Sequence, residues 1–337
     1  MKAAVIRRHG GREVIGLERD YPEPTVKNGW VKLRVKACSL NHHDIFSRRG
    51  MPGITLDFPL ITGSDIAGEI AEVPDDVTGW HRGDRVLVDP NPCKETDWKF
   101  LGEQVPGGRA EYCLVHHSQL IGIPAGVSTE VASCLPLAFG TAYRMMITIG
   151  QVKQGEIVLI LGASGGVGTA CVLLSKVVGC TVIACAGSDY KLHQLRAIGA
   201  DHVINYRKRN FREAVIDITG KPRVMTGAGG VHVAMNATGG GTFKDTMACL
   251  RKGGRLVTCG ATAGFEEQID VRYLWSYEHR LLGSDGWTRQ DLLALIDLVE
   301  QGRLHPVIDH TLPLEDVHEA ERMMEDRELF GKVVLVP

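Results

Sequence analysis

The sequence predicts an α/β protein in which a doubly wound parallel sheet accompanies a β-rich unit. Three observations predict it. Residues 1 to about 120 carry short β-branched runs parted by turn residues, the pattern of a barrel or sandwich. From about residue 125, continuous apolar strands alternate with helical segments, the rhythm of a parallel sheet covered on both faces. The chain of 337 residues is 44% hydrophobic and 23% charged, which supplies apolar surface for two cores.

The strands expected in the first unit are Ala3–Ile6, Trp30–Val35, Ile66–Val73, Arg85–Val88 and Ala110–Val115. Turns are expected at Lys27-Asn28-Gly29, Pro52-Gly53 and Arg82-Gly83-Asp84. Ser128-Thr129-Glu130 opens a helical segment that continues through Ser133–Ile149. The alternation then runs strand Glu156–Leu161, helix Gly166–Val178, strand Thr181–Ala186, helix Tyr190–Ile198 and strand His202–Asn205. A helix near Asn210–Thr219, strand Val231–Asn236, helix Thr242–Leu250 and strand Gly254–Gly260 follow. The last part holds helices Arg289–Gln301 and Leu314–Glu325 and a terminal strand, Lys332–Val336.

Composition excludes several classes of function. A net charge of −2, from 38 basic and 40 acidic residues, provides no electrostatic footprint for nucleic acid or an anionic membrane. No run reaches 18 apolar residues, and the start MKAAVIRRHGG has no apolar stretch of a signal peptide. A soluble, cytoplasmic protein is expected. The nine cysteines are odd in number and form no C-x-x-C pair. They read as buried reduced thiols, not as a disulfide framework or a four-cysteine zinc cluster.

The strongest local signal is Leu161-Gly162-Ala163-Ser164-Gly165-Gly166-Val167-Gly168, set between a predicted strand and a predicted helix. Glycines there permit a tight turn and let backbone N–H groups meet a pyrophosphate at the helix N-terminus. A second strand follows on schedule and ends in Cys185-Ala186-Gly187-Ser188-Asp189-Tyr190-Lys191. An acid at this point would accept from the ribose of NAD, whereas Ser188 and Lys191 suit the 2′-phosphate of NADP(H). NADP(H) is the expectation. Asp189, as a displaced ribose-binding acid, is the alternative, and Ser188 as a helix cap with Lys191 at the surface is the plainer one.

Further short motifs now carry a family resemblance. They are Leu40-Asn41-His42-His43-Asp44, Gly63-Ser64-Asp65-Ile66-Ala67-Gly68, Gly83-Asp84-Arg85-Val86, Gly107-Gly108-Arg109-Ala110-Glu111-Tyr112 and Gly140-Thr141-Ala142-Tyr143. The glycine loop, Leu195–Asp201 with Ile204-Asn205-Tyr206, and Gly331-Lys332-Val333-Val334 complete the set. In this order the chain resembles the medium-chain dehydrogenase/reductase superfamily, and within it the zinc-independent, quinone oxidoreductase-like branch. The resemblance implies a Rossmann domain inserted into a GroES-like β-barrel catalytic domain. The expected division is 1–122 plus 266–337 for the GroES-like part and 123–265 for the Rossmann part.

The family's zinc ligands map onto Asn41, Ser64 and Leu137, so no zinc is expected. A metal site made of His42 or His43 with Asp44 and Asp65 is the remaining alternative, against plain polar lining of a cleft. The resemblance places Asn41 and Thr141 near the nicotinamide. It also carries Ser164, Gly165, Gly166, Val167, Ser188, Lys191, Tyr206, Asn236, Gly260, Ala261 and Lys332 as cofactor positions. Asn41, His42, His43 and Asp44 are the catalytic candidates.

Without a Lewis acid, the chemistry that suits this chain is hydride addition to an acceptor already activated by conjugation. Asn41 would stabilise the developing enolate, and His42 or His43 would protonate it. The branch's tyrosine two positions after the aspartate is Phe46 here. A zinc-independent alcohol dehydrogenase or carbonyl reductase, and a non-catalytic NADPH-binding protein, are the competing readings. The expected partners are a small-molecule substrate and a second copy of the chain, docked through the apolar stretch Trp275–Leu282.

Overall fold

The computed structural model describes residues 1–51 and 53–337, so the expected Pro52-Gly53 turn lies partly outside the described residues. The chain forms two compact units. One comprises Met1–Leu137, Leu292–Gly302 and Pro306–Pro337; the other comprises Ala138–Asp291 and Arg303–His305.

The first unit contains a seven-stranded sheet. Along its path run Ile308–Pro313, Lys332–Val336, Trp30–Ser39, Asp65–Glu72, Arg85–Val88 and Leu120–Gly122, while Tyr112–His116 pairs with the first half of Trp30–Ser39. A three-stranded antiparallel sheet is ordered Ile15–Glu18, Ala3–Ile6, Leu60–Ile61. Strand Trp30–Ser39 positions the site. Val31, Leu33 and Val35 alternate into the core with Ile66, Ile70, Val86 and Val115. A bulge between Val35 and Ala37 then ends the alternation, and Ala37, Cys38 and Ser39 are all buried. The strand therefore delivers Leu40 and Asn41 into the interior.

Next comes a helix, His42–Arg49, which is not among the elements expected from the sequence. Its buried residues, Asp44, Ile45, Ser47 and Arg48, are mostly polar, so no apolar stripe announces it. The usable signal was capping: the Asp44 carboxylate, at the helix's third position, accepts from the Asn41 backbone N–H at 2.8 Å.

The second unit is a six-stranded parallel sheet ordered His202–Asn205, Thr181–Ala186, Ile157–Ile160, Val231–Met235, Leu250–Thr258, Arg280–Gly283. The order reverses direction at Ile157–Ile160, so the switch point lies at that strand's carboxyl end, directly before Gly162. Leu159, Ile183, Ile204, Val215, Ala234, Met247 and Leu256 belong to its core.

The division differs from the expected one at both ends. Helix Thr129–Ser133 packs on strand Trp30–Ser39, where Ser39 Oγ lies 2.9 Å from Ser133 O, and so the first unit runs on to Leu137. Strand Arg280–Gly283 pairs in parallel with Leu250–Thr258, which keeps residues 266–291 in the second unit. The long helix expected over Ser133–Ile149 is broken into wide π-type turns, Leu135–Gly140 and Arg144–Ile149, around a short α-turn at Thr141–Tyr143. All nine cysteines are free, and burial raises the thiols of Cys38, Cys113, Cys134, Cys171, Cys185 and Cys249. No described helix is long and apolar enough to cross a membrane.

Candidate active site

Four polar side chains meet where strand Trp30–Ser39 ends in the first unit. Lys332 Nζ donates to Asn41 Oδ1 at 2.6 Å, to Leu40 O at 2.7 Å and to Asp65 Oδ2 at 3.2 Å. Asn41 Nδ2 donates to Asp65 Oδ2 at 2.8 Å, and Ser39 Oγ donates to the same oxygen at 2.8 Å. Asp65 Oδ1 accepts from the Leu137 N–H at 2.9 Å. Every member is buried. Isolated burial of either charge would be prohibitive, and this mutual satisfaction is what makes the cluster tolerable.

The two charges also orient the Asn41 amide. An ammonium only donates and a carboxylate only accepts, so Oδ1 must face Lys332 and Nδ2 must face Asp65. The second Nδ2 hydrogen has no acceptor among the described residues. It is a polarised donor left over.

Asp44 is fully engaged. Besides the Asn41 N–H, it accepts from the Gly63 N–H at 3.1 Å and lies 3.2 Å from Arg109 Nη2. Gly63 has φ +97°, and a Cβ there would lie 2.7 Å from Cys38 Sγ, so glycine is required at the turn leading to Ser64 and Asp65. Arg109 continues to Glu321, which also takes Arg48 Nε at 2.7 Å. Asp44 thus anchors the helix.

The histidines occupy adjacent positions on helix His42–Arg49 with different surroundings. His42 is exposed along its edge; partial removal from water and then the charges of Arg327, Lys332 and Arg49 hold its imidazole below the ordinary value. His43 sits with Nε2 2.6 Å from Glu103 Oε2. The ring N–H is not aligned on that oxygen, so the contact is one of charge more than of a formed hydrogen bond. Burial opposes the charged ring, but Glu103, Asp44 and Asp65 outweigh it and raise the His43 pKa.

Zinc can be tested by donor chemistry. An amide at Asn41, a hydroxyl at Ser64 and an aliphatic chain at Leu137 supply neither thiolate nor imidazole. The neighbouring carboxylate, Asp65, is already paired with an ammonium. The alternative His–Asp site meets the same obstacle, since Asp44 is paired with Arg109. This donor set does not fit zinc.

The second unit carries the nucleotide cradle at the carboxyl edge of its sheet. Gly162 has φ +62°, and a Cβ on Gly168 would lie 2.3 Å from Gly162 O. Both glycines are therefore dictated by the turn. Helix Gly166–Val178 begins at Gly165 without a side-chain cap, which leaves the amides of Gly166 and Val167, beside Ser164, for an anion. Ser188 caps the helix Asp189–Ala197, accepting from Lys191 N at 3.3 Å. The exposed Asp189 carboxylate accepts from Lys208 Nζ at 2.5 Å and from Asn205 Nδ2 at 2.8 Å, and these contacts depress its pKa. A Cβ on Gly187 would lie 2.6 Å from Tyr206 Oη and 3.2 Å from Arg207 Nε, so these two side chains overhang the strand end.

The other expected cofactor positions lie as follows. Asn236 is wholly buried and spends its amide on Thr242, Thr246, Thr238 N and Gly239 N, shaping the turn after Val231–Met235. Lys332 lies in the first unit with its three hydrogens already placed, which leaves none for a cofactor. Thr141 is buried at the start of Thr141–Tyr143. Gly260 and Ala261 follow strand Leu250–Thr258, and the space where a Gly260 side chain would sit is open. Sequence reasoning missed Glu103, Glu321 and Arg207. Only Arg207 had a signal, the basic run Arg207-Lys208-Arg209 after the third strand of the alternation.

A glycine cradle at a switch point in one unit, and a buried polar cluster in the other, β-rich unit, define a nucleotide-dependent dehydrogenase class. Comparison with known proteins agrees. Residues 27–125 match the family described as alcohol dehydrogenase GroES-like domain, and residues 166–301 match zinc-binding dehydrogenase. The chain is 28% identical to the quinone oxidoreductase of Homo sapiens, across 100% of this chain and 98% of that one. The crystal structure of an NAD-dependent alcohol dehydrogenase superimposes with a TM-score of 0.91 at 33% identity, covering 100% of both chains. The 2-octenoyl-CoA carboxylase reductase CinF, in complex with NADP and 2-octenoyl-CoA, gives a TM-score of 0.88 at 28% identity over 99% of this chain and 87% of that chain. The chain belongs to the medium-chain dehydrogenase/reductase superfamily and is an oxidoreductase.

Proposed function

We propose that this protein is an NADPH-dependent, zinc-independent reductase of a conjugated acceptor: an enone, an enoyl thioester or a quinone. The observation that carries the reading is the Asn41 amide, clamped between Lys332 and Asp65 with one hydrogen in reserve. That donor can meet the carbonyl oxygen of an acceptor as negative charge develops on it. The Lys332 ammonium, drawing on Oδ1, strengthens the donor. No metal is needed, because conjugation already lowers the barrier to hydride addition. Bound NADPH supplies the hydride; the chain's own residues hold the acceptor and stabilise the charge.

The test is a panel of enones, enoyl thioesters, quinones, simple aldehydes and alcohols, followed at the nicotinamide absorbance in the presence of a chelator. Reduction of conjugated members alone supports the proposal. Ready turnover of simple alcohols supports the dehydrogenase reading, which a structural relative at 33% identity favours. Loss of activity together with one zinc per chain would refute zinc independence.

Cofactor choice rests on this chain's own residues. With Asp189 held by Lys208 and Asn205, the strand end presents Ser188, Lys191, Tyr206 and Arg207, a hydroxyl-and-cation set suited to a 2′-phosphate. NADPH is expected to bind at least about ten-fold more tightly than NADH, since one charge-assisted contact contributes about 1.5–3 kcal/mol. In titrations followed by nucleotide fluorescence, Lys191→Ala and Arg207→Ala should each weaken NADPH and leave NADH nearly unchanged. Equal affinities in the wild type would return the role of ribose acid to Asp189.

Assembly is proposed as a homodimer through the sheet edge Arg280–Gly283. That strand is the end of the parallel sheet, with Leu281 exposed on it and Trp275 exposed just before it. Light scattering at micromolar concentration should give twice the chain mass, and Leu281→Lys should shift it toward the monomer.

A further inference from the structure

One buried carboxylate, Glu103, is left unused by the chemistry above. It comes from the segment between Asp89 and Arg109 and is 4% exposed. Its Oε2 lies 2.6 Å from His43 Nε2 and accepts from Ser47 Oγ at 3.2 Å. The ring of Phe100 packs edge-on against the imidazole at 5.3 Å, and the outer part of the His43 side chain, 27%, reaches solvent.

Glu103 has no other ion-pair partner among the described residues. A carboxylate this buried needs a compensating cation, and His43 is placed to be it. The wider field around His43 is mixed: Asp44 and Asp65 add negative charge, while Arg109 and Lys332 are already paired with those two carboxylates. The pair therefore favours the protonated imidazole beside Glu103. The orientation cannot be read from spacing, because His42, one residue earlier, has no such carboxylate and is pushed the other way.

We propose that Glu103 is a positioning residue that keeps His43 protonated, so that His43 is the acid completing the reduction. The inference rests on the reading of function above. Hydride adds to the β-carbon of the acceptor and an electron pair moves onto the carbonyl oxygen beside Asn41. The resulting enolate takes a proton from the His43 imidazolium; for a quinone the proton goes to oxygen. Neutral His43 then recovers a proton from water. The acceptor gains one hydride and one proton, and NADPH leaves as NADP⁺. Because the acid must be protonated to act, the rate should be full below the His43 pKa and fall as pH rises through it.

The experiment has two readouts on the same protein. In the cofactor-free protein, the His43 imidazole proton signal, assigned by its loss in His43→Gln, is titrated by NMR in wild type and in Glu103→Gln. The expected result is a titration above that of ordinary histidines in the wild type and a downward shift of about one pH unit or more in the variant. With an enone substrate, the fall of kcat with pH should move to lower pH in Glu103→Gln, with KM and NADPH affinity within a few-fold and partial recovery in Glu103→Asp. If Glu103→Gln does not fold, Glu103→Asp carries both measurements with a smaller shift. An unmoved NMR titration overturns the role of Glu103. A moved titration with an unmoved pH–rate profile overturns His43 as the acid. Inactivity of the wild type toward every conjugated acceptor overturns the function and the acid role together, and is told apart because the NMR shift needs no substrate.

Discussion

Asn41→Ala is expected to lower turnover by about 10²–10³, the usual loss when one pre-aimed donor to a developing oxyanion is removed. The fold should survive the change. Lys332 keeps Leu40 O and Asp65 as acceptors, and Asp65 keeps Ser39, Lys332 and the Leu137 N–H. NADPH affinity should stay within a few-fold, because the glycine cradle and the Ser188–Lys191 region are built in the second unit. Steady-state kinetics with an enone and nucleotide titration of the same preparation check both halves. A loss confined to KM would mean that Asn41 only binds the ground state, and the oxyanion role would fall.

The largest stability effect is expected at Glu321, far from any reacting atom. Its carboxylate is fully buried on helix Val317–Glu325 and joins Arg48 of the site helix to Arg109, which in turn holds Asp44. Glu321→Ala leaves two buried guanidiniums short of charge, and breaking a buried pair this way costs about 3–5 kcal/mol. Thermal unfolding should therefore fall on the order of 10 °C. Arg322, next in sequence, makes more ion pairs on paper, to Glu319, Asp326 and Glu328, but all are at the surface. Arg322→Ala should leave the melting temperature nearly unchanged, because exposed pairs are screened by water and salt. If the two variants melted alike, burial would not be the deciding term.

The contrast between neighbouring residues also explains which features were legible in the sequence. The glycine loop was legible because its requirement is local. Gly162 needs a positive φ and Gly168 needs to lie against Gly162 O, six residues away, so the constraint and the residues that meet it share one short segment. The strand–helix alternation around it was legible for the same reason, since apolar periodicity is a property of consecutive residues. Helix His42–Arg49 was not, because its buried face is polar and stabilised by residues at 109, 321 and 325.

Asn41 could be singled out by resemblance, yet nothing nearby in the chain reveals what makes it a useful donor. Its two partners are Asp65 and Lys332, and Lys332 is 291 positions away. The same distance hid the duty of Lys332, which a reading by motif assigns to the cofactor and the fold assigns to the Asn41 amide. Glu103 carries no motif at all; it is a carboxylate in an irregular segment until packing sets it against His43.

The sequence by itself determined the fold class, the place of the nucleotide cradle and the lack of zinc-type donors at positions 41, 64 and 137. These follow from side-chain chemistry and short-range backbone geometry, which neighbours in the chain settle. Only the tertiary structure decided which charge each end of the Asn41 amide faces, that Asp44 anchors the helix, that Asp189 lies against Lys208, and that His42 and His43 differ. Each of these is set by partners that folding brings within a few ångströms; at Asn41 and Asp44 the interior is dry, and there the partner's charge and burial outweigh the residue's own identity.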